Sequence, residues 1–204
     1  MRILVMGYSG FLGGHFVRNA QTYEHELVLI GRNSPRIHNQ KNILWVKSQL
    51  VDLSKNLLSL GEFDVLVNFV WQGLPVRSDE LNRVNFEIQA KILSQLDLSR
   101  IKKVICLGSC LEYKASINRL SEHSEIETKD NFALTKIGVY KMYQANCKNL
   151  VWPRVFYVYG SGQHQKSLLN YAYDAYLNSK PLSLNSPDDI NDYIHANEIG
   201  RAHV

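Results

Sequence analysis

The stretch RILVMGYSGFLGGH, residues 2–15, constrains this chain more than any other. An apolar run ends at Gly7, and glycines then recur every third residue, at Gly7, Gly10 and Gly13, as a helical pattern opens. Glycine at that spacing permits a tight turn, keeps Cβ atoms away from a ligand, and lets the helix pack closely on the preceding strand. The start of the helix then offers free N–H groups and the positive end of its dipole to an anion. Strand, loop and helix in this order bind a dinucleotide pyrophosphate, whereas a glycine triplet by itself marks only a turn.

The rest of the chain supplies the context. Short β-branched runs alternate with longer stretches of helical period, which predicts a parallel sheet with crossover helices. Strands are expected at Arg2 to Met6, Glu26 to Ile30, Ile43 to Lys47, Asp64 to Val70, Lys103 to Leu107 and Leu150 to Tyr157. Most are apolar at consecutive positions, as strands covered on both faces should be. A helix capped by Ser78 and running to Ser99 carries Leu81, Val84, Ile88, Ile92 and Leu96 on one face. Further helices are expected at Phe132 to Cys147 and Gln165 to Asn178. The fold class is α/β: a Rossmann-type doubly wound parallel sheet over residues 1–160, followed by a small, truncated C-terminal substrate-binding region over 161–204.

The 204 residues, 45% hydrophobic, are enough for one sizeable core. A net charge of +4 with lysine and arginine scattered gives no basic stripe, so no nucleic-acid surface is expected. The first apolar run is too short for a secretory segment or a membrane span. Three cysteines, Cys106, Cys110 and Cys147, form no CxxC pair, and the seven histidines are scattered. Reduced thiols, no metal site and a cytoplasmic location are the expectation. At the end of the second strand, where an acidic side chain would bond the ribose 2′-hydroxyl of NAD, the sequence reads LVLIGRN, with Gly31 and Arg32. Arg32, helped by Arg36, suits the 2′-phosphate of NADP, which is favoured over NAD; the alternative is a solvated loop arginine.

Together with the glycine loop, VDL at Val51 to Leu53, GSCLEY at Gly108 to Tyr113 and FALTK at Phe132 to Lys136 follow in order. With these motifs the chain resembles the extended short-chain dehydrogenase/reductases of the NAD-dependent epimerase/dehydratase family. NFVWQGLP at 68–75 and NLVWPRVFYVYGSGQHQKSLL at 149–169 look closest to its nucleotide-sugar 4-keto-reductases and epimerases of surface-polysaccharide synthesis. The resemblance implies that Gly7, Gly10 and Gly13, with the amides of Phe11 and Leu12, hold the pyrophosphate. It implies that Asp52 and Leu53 lie against the adenine and that Phe69 and Val70 border the nicotinamide riboside. Ser109 would bond the reacting sugar oxygen. Lys136 would grip the nicotinamide ribose and lower the pKa of a tyrosine four residues earlier. Asp192 and His195 would approach a dTDP- or CDP-linked sugar, and the helices from Ser78 and from Phe132 would pair across a homodimer.

That tyrosine is absent, and Phe132 stands in its place. A phenylalanine keeps the ring and loses the acid that accompanies hydride transfer. Three accounts follow. In one, a reductase or epimerase survives with its proton donor displaced, to Ser109 or, less well placed, to Tyr113 or Tyr140. In another, the fold binds cofactor and nucleotide sugar without redox chemistry. In the third, the resemblance is one of fold alone.

Overall fold

The computed structural model describes residues 1–35, 41–49, 52–58, 60–116, 119–184 and 186–199. Arg36 and Val51 lie outside the described residues. Two compact units divide the chain, Met1–Val155 and Phe156–Val204.

The first unit is a six-stranded, all-parallel sheet. Its strands are β1 (Arg2–Met6), β2 (Glu26–Gly31), β3 (Ile43–Lys47), β4 (Val65–Asn68), β5 (Lys103–Cys106) and, after a two-residue strand β6 (Gly108–Ser109), β7 (Leu150–Val151). The order is β3-β2-β1-β4-β5-β7, so the chain winds outward one way from β1 and returns the other way from β4. Helix α1 (Phe11–Ala20) follows β1, α2 (Leu53–Leu58) precedes β4, α3 (Asp79–Gln95) joins β4 to β5, and α4 (Asn131–Asn146) precedes β7.

Consecutive apolar residues are needed because both faces are covered, and alternate residues enter different cores. Ile3, Val5, Leu27, Leu29, Val65 and Val67 pack with Val17 and Ala20 of α1. Leu4, Met6, Val28, Ile30 and Leu66 pack with Leu53 and Leu57 of α2, Ile92 of α3, and Val139 and Tyr143 of α4. A one-residue slip in any central strand would exchange the two sets, so the register is tightly specified.

Ser78 caps α3 as expected, its side chain accepting from Leu81 N–H at 3.3 Å. The expected apolar face of α3 packs on the core through Ile88, Ile92 and Leu96, but the most buried stripe is rotated toward polar residues. Asn82, Asn85, Gln89 and Ile92 are buried, while Leu81, Val84, Ile88 and Leu96 are only half-buried. The physical reason is the segment leaving β4, whose backbone at Val70 and Gln72 is bonded by side chains. Asn68 Oδ1 accepts from Val70 N–H at 2.9 Å and Gln89 Nε2 donates to Val70 O at 2.6 Å. Asn85 accepts from Gln72 N–H at 2.7 Å and donates to Gln72 O at 3.0 Å. A further buried triangle links Asn68, Gln89 and the Tyr143 hydroxyl at 2.8–2.9 Å. Residues 69–72 are thereby held on a polar platform, and β4 ends at Asn68 instead of reaching Val70.

The expected strand from Leu150 to Tyr157 is three strands. After β7, Pro153 has no N–H to donate and the ladder breaks. β8 (Arg154–Val155) then pairs in parallel with β6, with Gly108 N–H bonding Pro153 O at 2.9 Å. In the second unit, β9 (Tyr157–Tyr159) pairs in parallel with β10 (Tyr193–His195), and α5 (Leu168–Leu177) lies between them in sequence. Among the described residues no helix is long and apolar enough to cross a membrane.

Candidate functional site

Strand order reverses between β1 and β4, and the crevice beyond their carboxyl ends is where a doubly wound sheet accepts a ligand. Gly7 sits there with φ +75°, and a Cβ on it would stand 2.7 Å from the backbone of Phe69. A Cβ on Gly13 would stand 2.3 Å from Gly7 O. Neither position tolerates a side chain. Gly10 is the N-cap of α1 and supplies no side-chain acceptor, so the first-turn amides of Phe11 and Leu12 face the crevice uncapped. An uncapped helix start beside a cradle that any Cβ would fill suits a pyrophosphate. Phe69 N–H bonds Met6 O at 2.9 Å, which brings residues 69 and 70 to the same crevice, the Phe69 ring resting on Phe16 at 5.5 Å.

On the β5 side, Lys136 projects from α4 and is only 7% exposed. Its ammonium donates to Leu107 O at 2.9 Å and lies 3.6 Å from the centre of the Trp71 ring, an attractive cation–π contact. Among the described residues no carboxylate comes within ion-pair distance of it. Burial brings its pKa down from the usual lysine range to about 7, with Glu112 and the Cys106 sulfur acting the other way. One turn earlier, Phe132 meets Trp71 edge to face at 5.5 Å, with the Lys136 ammonium at 5.8 Å and the Arg77 guanidinium at 5.9 Å from its ring centre. Asp130 caps α4 through Ala133 N–H at 2.9 Å and pairs with Arg77 at 3.1 Å, which orients this first turn.

Ser109 ends β6 and opens a single 3-10 turn, Cys110–Glu112. The Ser109 Oγ accepts from Leu111 N–H at 3.2 Å, while Glu112 Oε1 accepts from Ser109 N–H at 2.8 Å, a reciprocal capping pair. Glu112 is fully buried, and its carboxylate also accepts from Arg154 Nε at 2.9 Å and from the Trp152 indole at 3.2 Å. Arg154 in turn covers the Tyr113 ring at 5.0 Å. The turn carrying Ser109 is thus anchored to β8 by a desolvated ion pair. Arg154→Ala should cost about 2 kcal/mol by leaving the buried carboxylate short of its charged donor, measurable as a lower denaturant midpoint at unchanged slope.

The sequence profile of the NAD dependent epimerase/dehydratase family matches residues 3–204, nearly the whole chain. This chain belongs to the NAD dependent epimerase/dehydratase family. No curated protein matches it by sequence search. Solved structures of similar fold include UDP-glucuronic acid 4-epimerase from Bacillus cereus, 18% identical, with a TM-score of 0.80 over 98% of this chain and 70% of that one. UDP-N-acetylglucosamine 4-epimerase from Methanobrevibacter ruminantium is 23% identical, TM-score 0.79, covering 98% and 71%. UDP-glucose 4-epimerase from Thermotoga maritima is 15% identical, TM-score 0.81, covering 99% and 72%.

In this epimerase/dehydratase chain the other sequence-derived residues fall as follows. Arg32 is exposed just after β2. Asp52 is half-buried at the entry to α2, and Leu53 is a core residue, 2% exposed. Asp192 and His195 belong to the second unit, just before β10 and at its last residue, where Asp192 O accepts from Tyr157 N–H at 3.2 Å and the His195 ring meets Tyr159 edge-on at 5.2 Å. Tyr140 packs against Trp152 at 5.4 Å, which engages it away from Phe132. Burial pushes the Cys110 thiol up from its ordinary range, which disfavours the thiolate. Sequence reasoning missed Trp71, Glu112, Arg154 and the Asn68, Asn85 and Gln89 platform. The amides did carry a signal, a helical spacing shared with Ile92, but amides ordinarily mark a solvated face.

Proposed function

We propose that the chain binds a nicotinamide dinucleotide, NADP in preference to NAD, in the crevice between β1 and β4, and a nucleotide sugar beside Ser109 and Lys136. The reaction type is that of a 4-keto-6-deoxyhexose reductase or epimerase, weakened by Phe132, acting on a dTDP- or CDP-linked sugar in the cytoplasm. The observation that carries this reading is Lys136: a buried ammonium with one backbone acceptor and no carboxylate partner among the described residues, one helical turn from the acid position. Such a group is costly to bury without a ligand that uses it. Phe11 and Leu12 amides would receive the pyrophosphate, and Lys136 would hold the nicotinamide ribose. The dinucleotide supplies or accepts the hydride; the chain orients the sugar through Ser109, excludes water with Trp71 and Phe132, and lacks a phenol to move the proton. The Bacillus cereus relative, which holds UDP-glucuronic acid and NAD, supports a nucleotide-sugar ligand and keeps NAD as the rival cofactor.

The edge-to-face packing of Phe132 on Trp71 favours a second reading, in which the site binds both ligands without turnover, as a regulatory or partner homologue. Titration with NADPH and NADH, followed by nicotinamide fluorescence, tests what both readings share. Micromolar binding is expected, and no binding of either would overturn both. The helices α3 and α4 flank a groove of about 460 Å³ whose lining includes exposed Phe86 and Leu134. Pairing of this face in a homodimer predicts twice the chain mass by light scattering at micromolar concentration; a monomeric mass would sink it.

A further inference from the structure

We infer that Tyr8 is a specificity-determining residue of the dinucleotide site: it excludes an acidic side chain at the end of β2 and positions Arg32 to receive a 2′-phosphate. The inference rests on the cofactor reading above and deepens it. Recognition of an unphosphorylated ribose needs a carboxylate from the end of β2. The residue there is Gly31, and a Cβ added to it would stand 2.9 Å from Cε1 of Tyr8, 3.3 Å from its hydroxyl oxygen and 3.4 Å from Cζ. A surface tyrosine would swing aside. Tyr8 is 5% exposed and belongs to the core formed with Val5, Val17, Leu27 and Leu29, so its ring has nowhere to go without opening a void. Tyr8 and Gly31 therefore form a complementary pair: the ring fills the space through which an aspartate or glutamate would have to leave the strand.

The same ring reaches from the glycine loop to the segment after β2. Its hydroxyl donates to Asn33 O, tying the glycine loop to the segment after β2. On the other side of Arg32, Gly31 O accepts from Ser48 N–H at 3.1 Å. The backbone is thus fastened immediately before and immediately after Arg32, while the Arg32 side chain stays exposed with no carboxylate within ion-pair distance among the described residues. Burial pushes the Tyr8 phenol above its ordinary range. A guanidinium on a fastened turn, beside a crevice that suits a pyrophosphate, matches a phosphomonoester dianion in charge and in bidentate geometry. Tyr8 does not touch that phosphate; it acts by holding the turn.

The test compares dissociation constants for NADPH and NADH in four proteins: wild type, Arg32→Ala, Tyr8→Phe and the double variant Tyr8→Ala/Gly31→Asp. Wild type is expected to prefer NADPH by about tenfold or more, and Arg32→Ala to remove that preference by weakening NADPH alone. Tyr8→Phe retains the buried ring and loses the tether, and should weaken NADPH about fivefold with NADH nearly unchanged. The double variant, which opens the space and fills it with a carboxylate, should prefer NADH. Equal weakening of both cofactors in Tyr8→Phe would reduce Tyr8 to a structural residue and overturn the inference. Equal affinity or a preference for NADH in wild type would overturn it while leaving the dinucleotide site intact, whereas failure to bind either cofactor would overturn the site as well.

Discussion

Phe132→Tyr should raise turnover on a 4-keto nucleotide sugar by about 10²-fold or more, the usual contribution of a positioned general acid. On the function proposed above, a phenol belongs at this position. The ring is held edge-on to Trp71, Asp130 fixes the first turn of α4, and the Lys136 ammonium lies 5.8 Å from the ring centre on the same helix face. A cation at that range favours phenolate and would bring a tyrosine hydroxyl toward the range useful near neutral pH. The gain should appear in kcat with little change in KM, because a hydroxyl that matters only during proton transfer adds little to ground-state binding. Stopped or steady-state assays following nicotinamide absorbance would show it. An unchanged rate in a variant that still binds cofactor would end the reductase or epimerase reading and leave the binding role.

Lys136→Met should separate function from stability, weakening cofactor binding at least about tenfold while making the fold sturdier at low pH. The direction follows from the proton balance. An unfolded lysine keeps its proton to about pH 10.4, whereas buried Lys136 gives it up near pH 7. Between those values the unfolded chain binds the extra proton, so stability climbs as pH rises from about 7 toward 10, and the burden of the buried charge is fully present below 7. Over the whole interval this is worth on the order of 4 kcal/mol. The Trp71 face and the Leu107 carbonyl offset part of it, so Lys136→Met should gain about 2 kcal/mol at pH 6, or about 5 °C in Tm. The gain should shrink toward pH 10. Melting curves at pH 6, 8 and 10 for both proteins would show the convergence; a gain independent of pH would mean better packing alone and a lysine that stays charged.

The parallel sheet, its central strands and the glycine loop were legible in the sequence, because each depends on local pattern. Consecutive apolar residues report two covered faces, and glycines at fixed offsets report a turn with no room for Cβ atoms. Arg2–Met6 and Ile43–Lys47 therefore fall where periodicity placed them. Two local features misled. Apolar residues at helical spacing found the core side of α3 at Ile88, Ile92 and Leu96 but missed the buried amides Asn82, Asn85 and Gln89 beside it, since hydropathy does not register which backbone groups beyond β4 need side-chain partners. A β-rich run through Pro153 read as one strand because propensity carries no information about which neighbour supplies each hydrogen bond.

What the sequence by itself determined is a Rossmann-type α/β domain with a glycine loop after its first strand, since strand period and glycine spacing are written along the chain; that Phe132 stands at an acid position is what the family resemblance implies. What only the tertiary structure decided is the environment of those groups: Trp71 over Lys136, Glu112 and Arg154 behind Ser109, and Tyr8 against Gly31. Trp71 and Lys136, Glu112 and Arg154, and Tyr8 and Gly31 stand far apart in sequence, and the strength of a buried charge or a steric exclusion exists only once such partners have been packed together.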